Sequence, residues 1–211
     1  MPSRPFEAGA VRALSWDVDG TLYSARRVAV RYWLAVLAAS LSGDGRSAWQ
    51  ATASLHRFRR RMERLRREEG LIEPDDARIG RRLVLERRWL LPAMAAVGAR
   101  TGVDAALQAL RSRFRAQVAF SDFEAADKLA SLGLTRHFDA VYSGERMGWL
   151  KPRPEPFRRI LADLELMPEQ LLHIGDRADT DGCGASAAGC RVLLLSRDFR
   201  SFRELQTMLV R

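Results

Sequence analysis

The sequence is poor in the residues from which disulfide frameworks and zinc sites are built. Its 211 residues include two cysteines and three histidines. Cys183 and Cys190 lie seven residues apart in a Gly/Ala-rich segment, where a helix would separate their Cα atoms by about 10 Å, too far for a disulfide bond. His56, His137 and His173 lack metal-ligand spacing. We therefore expect reduced cysteines and no structural zinc site.

Long apolar runs are also missing. No stretch approaches the length of a membrane span, and the first five residues, Met-Pro-Ser-Arg-Pro, are not an apolar signal region. We therefore expect a soluble, cytoplasmic protein without a membrane partner. Hydrophobic residues make up 47% of the chain, which is typical of a globular protein with one sizeable core, or a core that carries a smaller insert.

Lysine is scarce in an otherwise basic chain. The net charge is +9, yet Lys128 and Lys151 are the only lysines, so arginine carries nearly all of the positive charge. A basic chain raises the question of a nucleic-acid partner. The densest arginine run, residues 56–67, has apolar residues at helical spacing, which predicts arginines on the outer faces of an amphipathic helix. We expect no nucleic-acid partner, and we leave open that some arginines attract an anionic substrate.

The chain is organised around residues 11–22, where an apolar run ends in Asp17-Val18-Asp19-Gly20-Thr21. Residues 11–18 read as a buried strand stopped by an Asp-Gly turn, so Asp17 and Asp19 would point the same way. Two like charges about 4 Å apart repel by about 4 kcal/mol, and the pair needs a cation, a shared proton or separation. Alone, the stretch is equally typical of an ordinary turn.

The remaining chain alternates in a way that indicates a parallel sheet with an insert. Predicted helices cover residues 28–41, 47–69, 73–92, 101–114, 124–132, 154–164, 180–188 and 199–210, and predicted strands cover 11–18, 116–120, 140–143, 171–174 and 192–195. We predict an α/β fold, a doubly wound parallel sheet with an inserted all-helical cap domain. The core would comprise residues 1–22 and 117–211, and the cap residues 23–116.

Ligands of such sheets bind at the carboxyl ends of the strands, where Asp17, Asp19, Ser121 and Asp176 all fall. A phosphate ester at such a place needs a carboxylate nucleophile and a second acid for proton transfer. It also needs magnesium, and a lysine and a hydroxyl to hold the transferring group. The sequence offers one of each.

Four motifs make the sequence similar to the haloacid dehalogenase superfamily. They are Asp17-Val-Asp19-Gly-Thr21, Ser121 after a strand, Lys151 before Pro152, and Gly175-Asp176 through Asp181. The resemblance is to the branch with a helical cap inserted just after the first motif, which includes phosphoglycolate phosphatase-like and beta-phosphoglucomutase-like proteins. The cap matches only in position, size and helicity.

The resemblance implies catalytic roles. Asp17 would be the nucleophile, and Asp19 the general acid and base. Thr21 and Ser121 would bind the phosphoryl group, and Lys151 would steady both Asp17 and the phosphate.

The resemblance also implies a Mg²⁺ site. Asp17 would be one ligand, Asp19 would contribute its main-chain carbonyl, and Asp176 would bind directly. Asp181 would bind directly or support a ligand, with Asp179 a rival for that role.

The implied function is a Mg²⁺-dependent phosphatase acting on a small phosphorylated metabolite through an aspartyl-phosphate intermediate. A phosphomutase retains the same acids and stays open, as does a non-catalytic basic interaction protein. Asp19 argues against dehalogenation, and the absence of lysine between residues 22 and 127 argues against phosphonate cleavage through an imine. Asp122 replaces a common Asn and is left out of the site, because an acid there would repel phosphate unless it points away. Neither the residues of the cap that select a substrate nor the oligomeric state follow from the sequence.

Overall fold

The computed structural model describes residues 10–68 and 70–210. Its strands are β1 (Ala13–Trp16), β2 (Ala116–Ser121), β3 (Ala140–Ser143), β4 (Leu171–Gly175) and β5 (Arg191–Leu194). They form one sheet in the order β3-β2-β1-β4-β5, in which every neighbouring pair is parallel. The predicted parallel α/β fold is confirmed, with β1 at the centre of the sheet.

Helices occupy the long insertion between β1 and β2 and the crossovers between the later strands. The α-helices are α1 (Ala25–Leu41), α2 (Gly45–Glu68), α3 (Asp76–Leu85), α4 (Leu91–Val97), α5 (Val103–Arg111), α6 (Ala126–Ser131), α7 (Gly144–Met147), α8 (Glu155–Asp163), α9 (Cys183–Ala187) and α10 (Phe202–Val210). Wider π-helical turns span Glu86–Leu90 and Ala178–Gly182. Over residues 10–68 and 70–210, no helix combines the length and the apolarity that a membrane crossing requires.

Side chains of β1 alternate between two hydrophobic cores, one on each face of the sheet. Leu14 and Trp16 lie in one core, together with apolar residues of α5 and α10. Ala13 lies in the other, together with Phe157 and Ile160 of α8. All three β1 side chains are fully buried, as expected of a central parallel strand that is covered on both faces. The sheet is therefore doubly wound, as predicted.

The inserted helices do not all pack together. Helix α1 packs against α2 and α4, whereas α5 packs against α10 beside the sheet. Leu107 and Leu110 of α5 belong to the core that contains Trp16. The division of the chain at residues 22 and 116 stays a prediction, and α5 is the helix whose packing bears on it.

Several element boundaries differ from the predicted ones. Strand β1 stops at Trp16 rather than Val18, although the Asp17 N–H still donates to the Ile174 carbonyl at 2.8 Å. The predicted third helix is divided into α3, a π-helical turn and α4, and Pro92 lies in the first turn of α4, directly after the π-helical turn. The fourth ends at Arg111 rather than Phe114. The predicted end of the second helix at Glu69, residues 1–9 and Arg211 lie outside the described residues.

Phe202 offers a test of the core beneath the central strand. Its ring stacks on Trp16 with centroids 6.4 Å apart, and 2% of its surface is exposed. We expect Phe202→Ala to lower the free energy of unfolding by about 3–5 kcal/mol, measured by urea denaturation with circular dichroism. Val210→Ala, at a position 38% exposed in the same helix, should change it by about 0.5 kcal/mol or less. Equal losses in the two variants would contradict the packing described.

Candidate active site

The acidic residues of the first and last motifs meet at the carboxyl edge of the sheet. Asp17 directly follows β1, Ser121 is the last residue of β2, and Asp176 directly follows β4. Because β2, β1 and β4 are adjacent and parallel, their carboxyl ends lie side by side. A single cavity is lined by Asp17, Asp19, Ser121, Lys151, Asp176 and Asp181. Thr21 is fully buried next to Asp17.

Lys151 joins the nucleophile candidate to the last motif. Its Nζ donates to Oδ1 of Asp17 and to Oδ1 of Asp181, each at 2.6 Å. The hydroxyl of Thr21 donates to the other oxygen of Asp17 at 2.9 Å. Lys151 is 3% exposed and Asp17 is 5% exposed, so water does little to screen these interactions. Thr21 thus reaches Asp17 itself, which leaves its predicted role toward phosphate untested.

The two acids that share Lys151 have pKa values shifted in opposite directions. Burial raises the pKa of Asp17; Lys151 opposes that rise and Asp181 reinforces it, and the resulting pKa lies well above the usual value of a carboxyl. Burial also raises the pKa of Asp181, but Lys151 and a hydrogen bond with His173 outweigh it and lower the pKa. His173 therefore helps to hold Asp181 ionised, a contact that the sequence analysis missed.

Three carboxylates form a cluster with the donor set that a hard divalent cation takes. Oxygens of Asp17, Asp176 and Asp181 all lie within 4.8 Å of one another. Oδ1 of Asp176 is buried and has no hydrogen-bond partner among the described residues. Burial raises the pKa of Asp176, and the charge of Asp181 raises it further. An unpartnered carboxylate oxygen beside two other acids fits a bound cation, which would supply the missing partner.

Position 20, in the turn after β1, requires glycine because Asp176 packs against it. Gly20 has a φ of +100°, and a Cβ there would lie 2.3 Å from Oδ2 of Asp176. The Gly20 carbonyl accepts two hydrogen bonds from the guanidinium of Arg100, at 2.8 and 3.1 Å. The Asp-Gly pair of the sequence thus allows the first and last motifs to approach.

The carboxylate of Asp19 is held apart from this cluster by donors of its own. Lys128 Nζ donates to both of its oxygens, at 2.8 and 2.7 Å, and Ser121 donates to Oδ2 at 3.0 Å. The hydroxyl of Tyr23 donates to Oδ1. Burial alone would raise the pKa of Asp19, but Lys128 and these hydrogen bonds lower it below the usual range. The predicted contact of the Asp19 main-chain carbonyl with a metal stays a prediction.

Lys128 is the site residue that sequence reasoning missed. It lies in α6, is 4% exposed, and lines the same cavity as Lys151. Both lysines of the chain therefore end on the acids of the first motif. The signal was available in the composition, since a chain that uses arginine almost everywhere keeps lysine at two positions. The sequence did not show that α6 places Lys128 next to Asp19.

Asp122 lines the same cavity and Asp179 does not, and both acids are paired with neighbouring donors. Oδ1 of Asp122 accepts the Lys151 main-chain N–H at 2.8 Å, and Oδ2 accepts a hydrogen bond from Arg66 of α2 at 2.5 Å. Asp179 is exposed and pairs with Arg177 at 2.6 Å. Asp181, not Asp179, therefore joins the carboxylate cluster.

The cavity above the carboxylates extends between the sheet edge and helices α1 and α2, with a volume of about 670 Å³. Its upper wall mixes apolar and basic side chains, including Tyr32, Trp33, Leu55, Arg59 and Arg60. Among the three tryptophans of the inserted helices, Trp33 lines this cavity, whereas Trp49 and Trp89 do not.

Comparisons with known proteins point to one family. The chain is 35% identical over 97 residues to haloacid dehalogenase-like hydrolase domain-containing protein 3 of Bos taurus, covering 45% of this chain and 39% of that protein. It is 40% identical over 65 residues to a phosphoglycolate phosphatase of Salmonella choleraesuis, covering 31% and 25%. It is 35% identical over 74 residues to a phosphoserine phosphatase of Thermus thermophilus, covering 35% and 30%. These matches span well under half of each relative.

Solved structures share the fold over nearly the whole chain. The magnesium-bound YfnB of Bacillus subtilis superposes with a TM-score of 0.69 at 18% identity, covering 95% of this chain and 99% of that one. A 2-haloacid dehalogenase from Pseudomonas syringae superposes with a TM-score of 0.67 at 19% identity, covering 95% and 98%. At these identities the likeness concerns the fold alone. The family described as haloacid dehalogenase-like hydrolase matches residues 11–202, and the chain therefore belongs to that family.

Proposed function

We propose that the protein is a phosphatase that hydrolyses a small phosphorylated metabolite through an aspartyl-phosphate intermediate on Asp17. The observation that carries the proposal is the Lys151 ammonium, which is buried between Asp17 and Asp181 at 2.6 Å from each. Such an ammonium stabilises a carboxylate nucleophile and the negative charge of a transferring phosphoryl group. The phosphatase names of two relatives support the same reaction.

The residues of the site account for both halves of the reaction. An oxygen of Asp17 attacks phosphorus, and the bond from phosphorus to the ester oxygen breaks. Asp19, whose donors keep it ionised in this structure, must take up a proton in the substrate complex, and it gives that proton to the leaving alkoxide. Asp19, now a carboxylate, removes a proton from a water whose oxygen attacks the phosphorus. The bond between Asp17 and phosphorus breaks, inorganic phosphate leaves, and Asp19 is protonated again. Lys151 balances the charge of Asp17 in both steps.

A magnesium ion belongs to this proposal because the carboxylate cluster fits one. Asp17, Asp176 and Asp181 would hold it, and the unpartnered Oδ1 of Asp176 is the observation that favours a cation there. When bound, Mg²⁺ offsets the repulsion between the substrate phosphate and the attacking carboxylate. The side chain of Asp19 and its separate donors lie outside the cluster, so we expect Asp19 to contribute only its main-chain carbonyl to the metal.

Replacing Asp17 tests the nucleophile. We expect Asp17→Asn to abolish release of inorganic phosphate from p-nitrophenyl phosphate, because an amide cannot form the aspartyl-phosphate. Asp179→Asn is the matched control, since Asp179 is exposed and Arg177 is its one ion-pair partner among the described residues, and it should keep the activity within about twofold. A wild-type rate in Asp17→Asn would refute the assignment. Transfer of the phosphoryl group to an added acceptor alcohol, without release of inorganic phosphate, would favour a phosphomutase.

Removal of the metal tests the carboxylate cluster. EDTA should stop turnover by the wild-type protein, and added Mg²⁺ should restore it. Isothermal titration calorimetry provides a readout that does not depend on activity: Asp176→Asn should weaken Mg²⁺ binding by about tenfold or more, as the loss of a carboxylate ligand requires. Equal Mg²⁺ affinity in Asp176→Asn and Asp179→Asn would show that the cluster is not the metal site.

The cap wall suggests which esters the site accepts. Arg59 lines the cavity, and its charge lowers the otherwise raised pKa of Tyr23, whose hydroxyl donates to Asp19. Within the described part of the chain, Arg59 has no hydrogen bond or ion pair to an acidic residue. A guanidinium without a partner, close to the proton-transfer acid, favours a leaving group that carries its own anionic group. The substrate class we propose is therefore a phosphate monoester with a carboxylate or second phosphate on the leaving group.

Arg59→Ala tests this selection. We expect the variant to lose about tenfold in kcat/KM for 4-carboxyphenyl phosphate, as the loss of one charge-assisted contact predicts, and less than about twofold for phenyl phosphate. Arg61→Ala removes an exposed arginine of the same helix that does not line the cavity, and both esters should be unaffected. Parallel losses for both esters in Arg59→Ala would contradict the proposal.

A further inference from the structure

We propose that Lys128 is a positioning residue, which fixes the carboxylate of Asp19 in the orientation that proton transfer to the leaving group requires. This inference rests on the proposed phosphatase function. Nothing in the motifs of the sequence assigns Lys128 a role, because it lies in α6, seven residues beyond Ser121 and outside all four motifs.

The contact is bidentate and charged. Lys128 Nζ lies 2.8 Å from Oδ1 and 2.7 Å from Oδ2 of Asp19. An ammonium shared by both oxygens restricts rotation of the carboxylate more than a hydrogen bond to one oxygen does. The Lys128 side chain is 5% exposed and that of Asp19 is 33% exposed, so the buried ammonium anchors a carboxylate that still reaches the cavity.

Lys128 has no competing function among the described residues. Both hydrogen bonds of its ammonium go to Asp19, whereas Lys151 serves Asp17 and Asp181. Helix α6 itself is held in place, because it packs against α4 and its Leu129 is fully buried in the main core. Burying a lysine without an acidic partner is unfavourable. The contact with Asp19 therefore offsets the cost of burying Lys128.

The other donors to Asp19 are less suited to this task. Ser121 has one hydroxyl proton, which it gives to Asp19 Oδ2 in this structure. If Ser121 binds the phosphoryl group instead, as the family resemblance implies, Asp19 loses that bond. Lys128 has three N–H donors, of which Asp19 uses two, so Lys128 can contact the substrate without giving up a hydrogen bond to Asp19. Tyr23 contributes a single neutral donor to Oδ1.

The test compares two esters that differ in their need for a proton. The p-nitrophenolate leaving group departs without protonation, whereas the alkoxide of glycerol 2-phosphate needs the acid. For Lys128→Met we expect the rate of the first step, measured as release of the leaving group in a single turnover, to fall by about a hundredfold with glycerol 2-phosphate, which is the contribution typical of general acid catalysis, and by less than about fivefold with p-nitrophenyl phosphate. Lys128→Arg, which retains a charged donor, should recover part of the loss. Circular dichroism and the thermal midpoint establish that the variants are folded.

A double-mutant cycle with Asp19→Ala provides the second arm, and it also covers the case in which Lys128→Met folds poorly and Lys128→Gln is used instead. If Lys128 acts through Asp19, its replacement should cost nothing more in the Asp19→Ala background. Equal losses with both esters, or additive losses in the cycle, would overturn the inference while the wild-type protein still proves to be a phosphatase. A wild-type protein that hydrolyses neither ester would instead refute the proposed function, and this inference with it.

Discussion

Four carboxylates lie at one edge of the sheet, and the rest of the site is arranged to offset the repulsion between them. Asp17, Asp19, Asp176 and Asp181 line one cavity together with the two lysines that contact three of them. This group of four carboxylates and two ammonium groups carries two net negative charges when all are ionised. The pKa values of Asp19 and Asp181 are lowered by their neighbouring lysines, whereas burial raises those of Asp17 and Asp176, at Asp17 even though Lys151 contacts it. A divalent cation carries the charge that this arrangement lacks.

The fold makes such crowding possible because three adjacent parallel strands end together and because glycine occupies the closest approaches. Gly20 leaves room for Asp176 after β1, and a Cβ on Gly175 at the end of β4 would lie 2.4 Å from the carboxyl carbon of Asp181. Backbone and carboxylate can meet at these two points only where no side chain intervenes. The two turns are therefore as much a part of the site as the acids that they position.

Sequence reasoning predicted the elements whose signals are local. Strand β3, Ala140–Ser143, has its predicted bounds, and the strands that precede Asp17 and Asp176 were found because apolar runs end there in Asp or Gly-Asp. Contacts between distant elements had no such signal. The contact of Lys128 with Asp19 depends on where α6 lies relative to the loop after β1, and the choice of Arg59 over Arg61 depends on which face α2 turns to the cavity. Helical periodicity identifies a face, but only tertiary packing decides what that face meets.

Helix α2 contacts both the cavity and the loop that carries Lys151. Its Arg59 lines the cavity, and its Arg66 binds Asp122 and donates to the Lys151 main-chain carbonyl at 2.9 Å. Just beyond the helix, the carbonyl of Gly70 accepts the N–H of Leu150, next to Lys151, at 2.7 Å. The loop that presents the buried lysine to Asp17 is thus held from both sides, by the acids of the core and by the inserted helix. Asp122, an acid that would repel phosphate if it faced the cavity unpaired, instead serves as the junction, because it binds the main chain of Lys151 with one oxygen and α2 with the other.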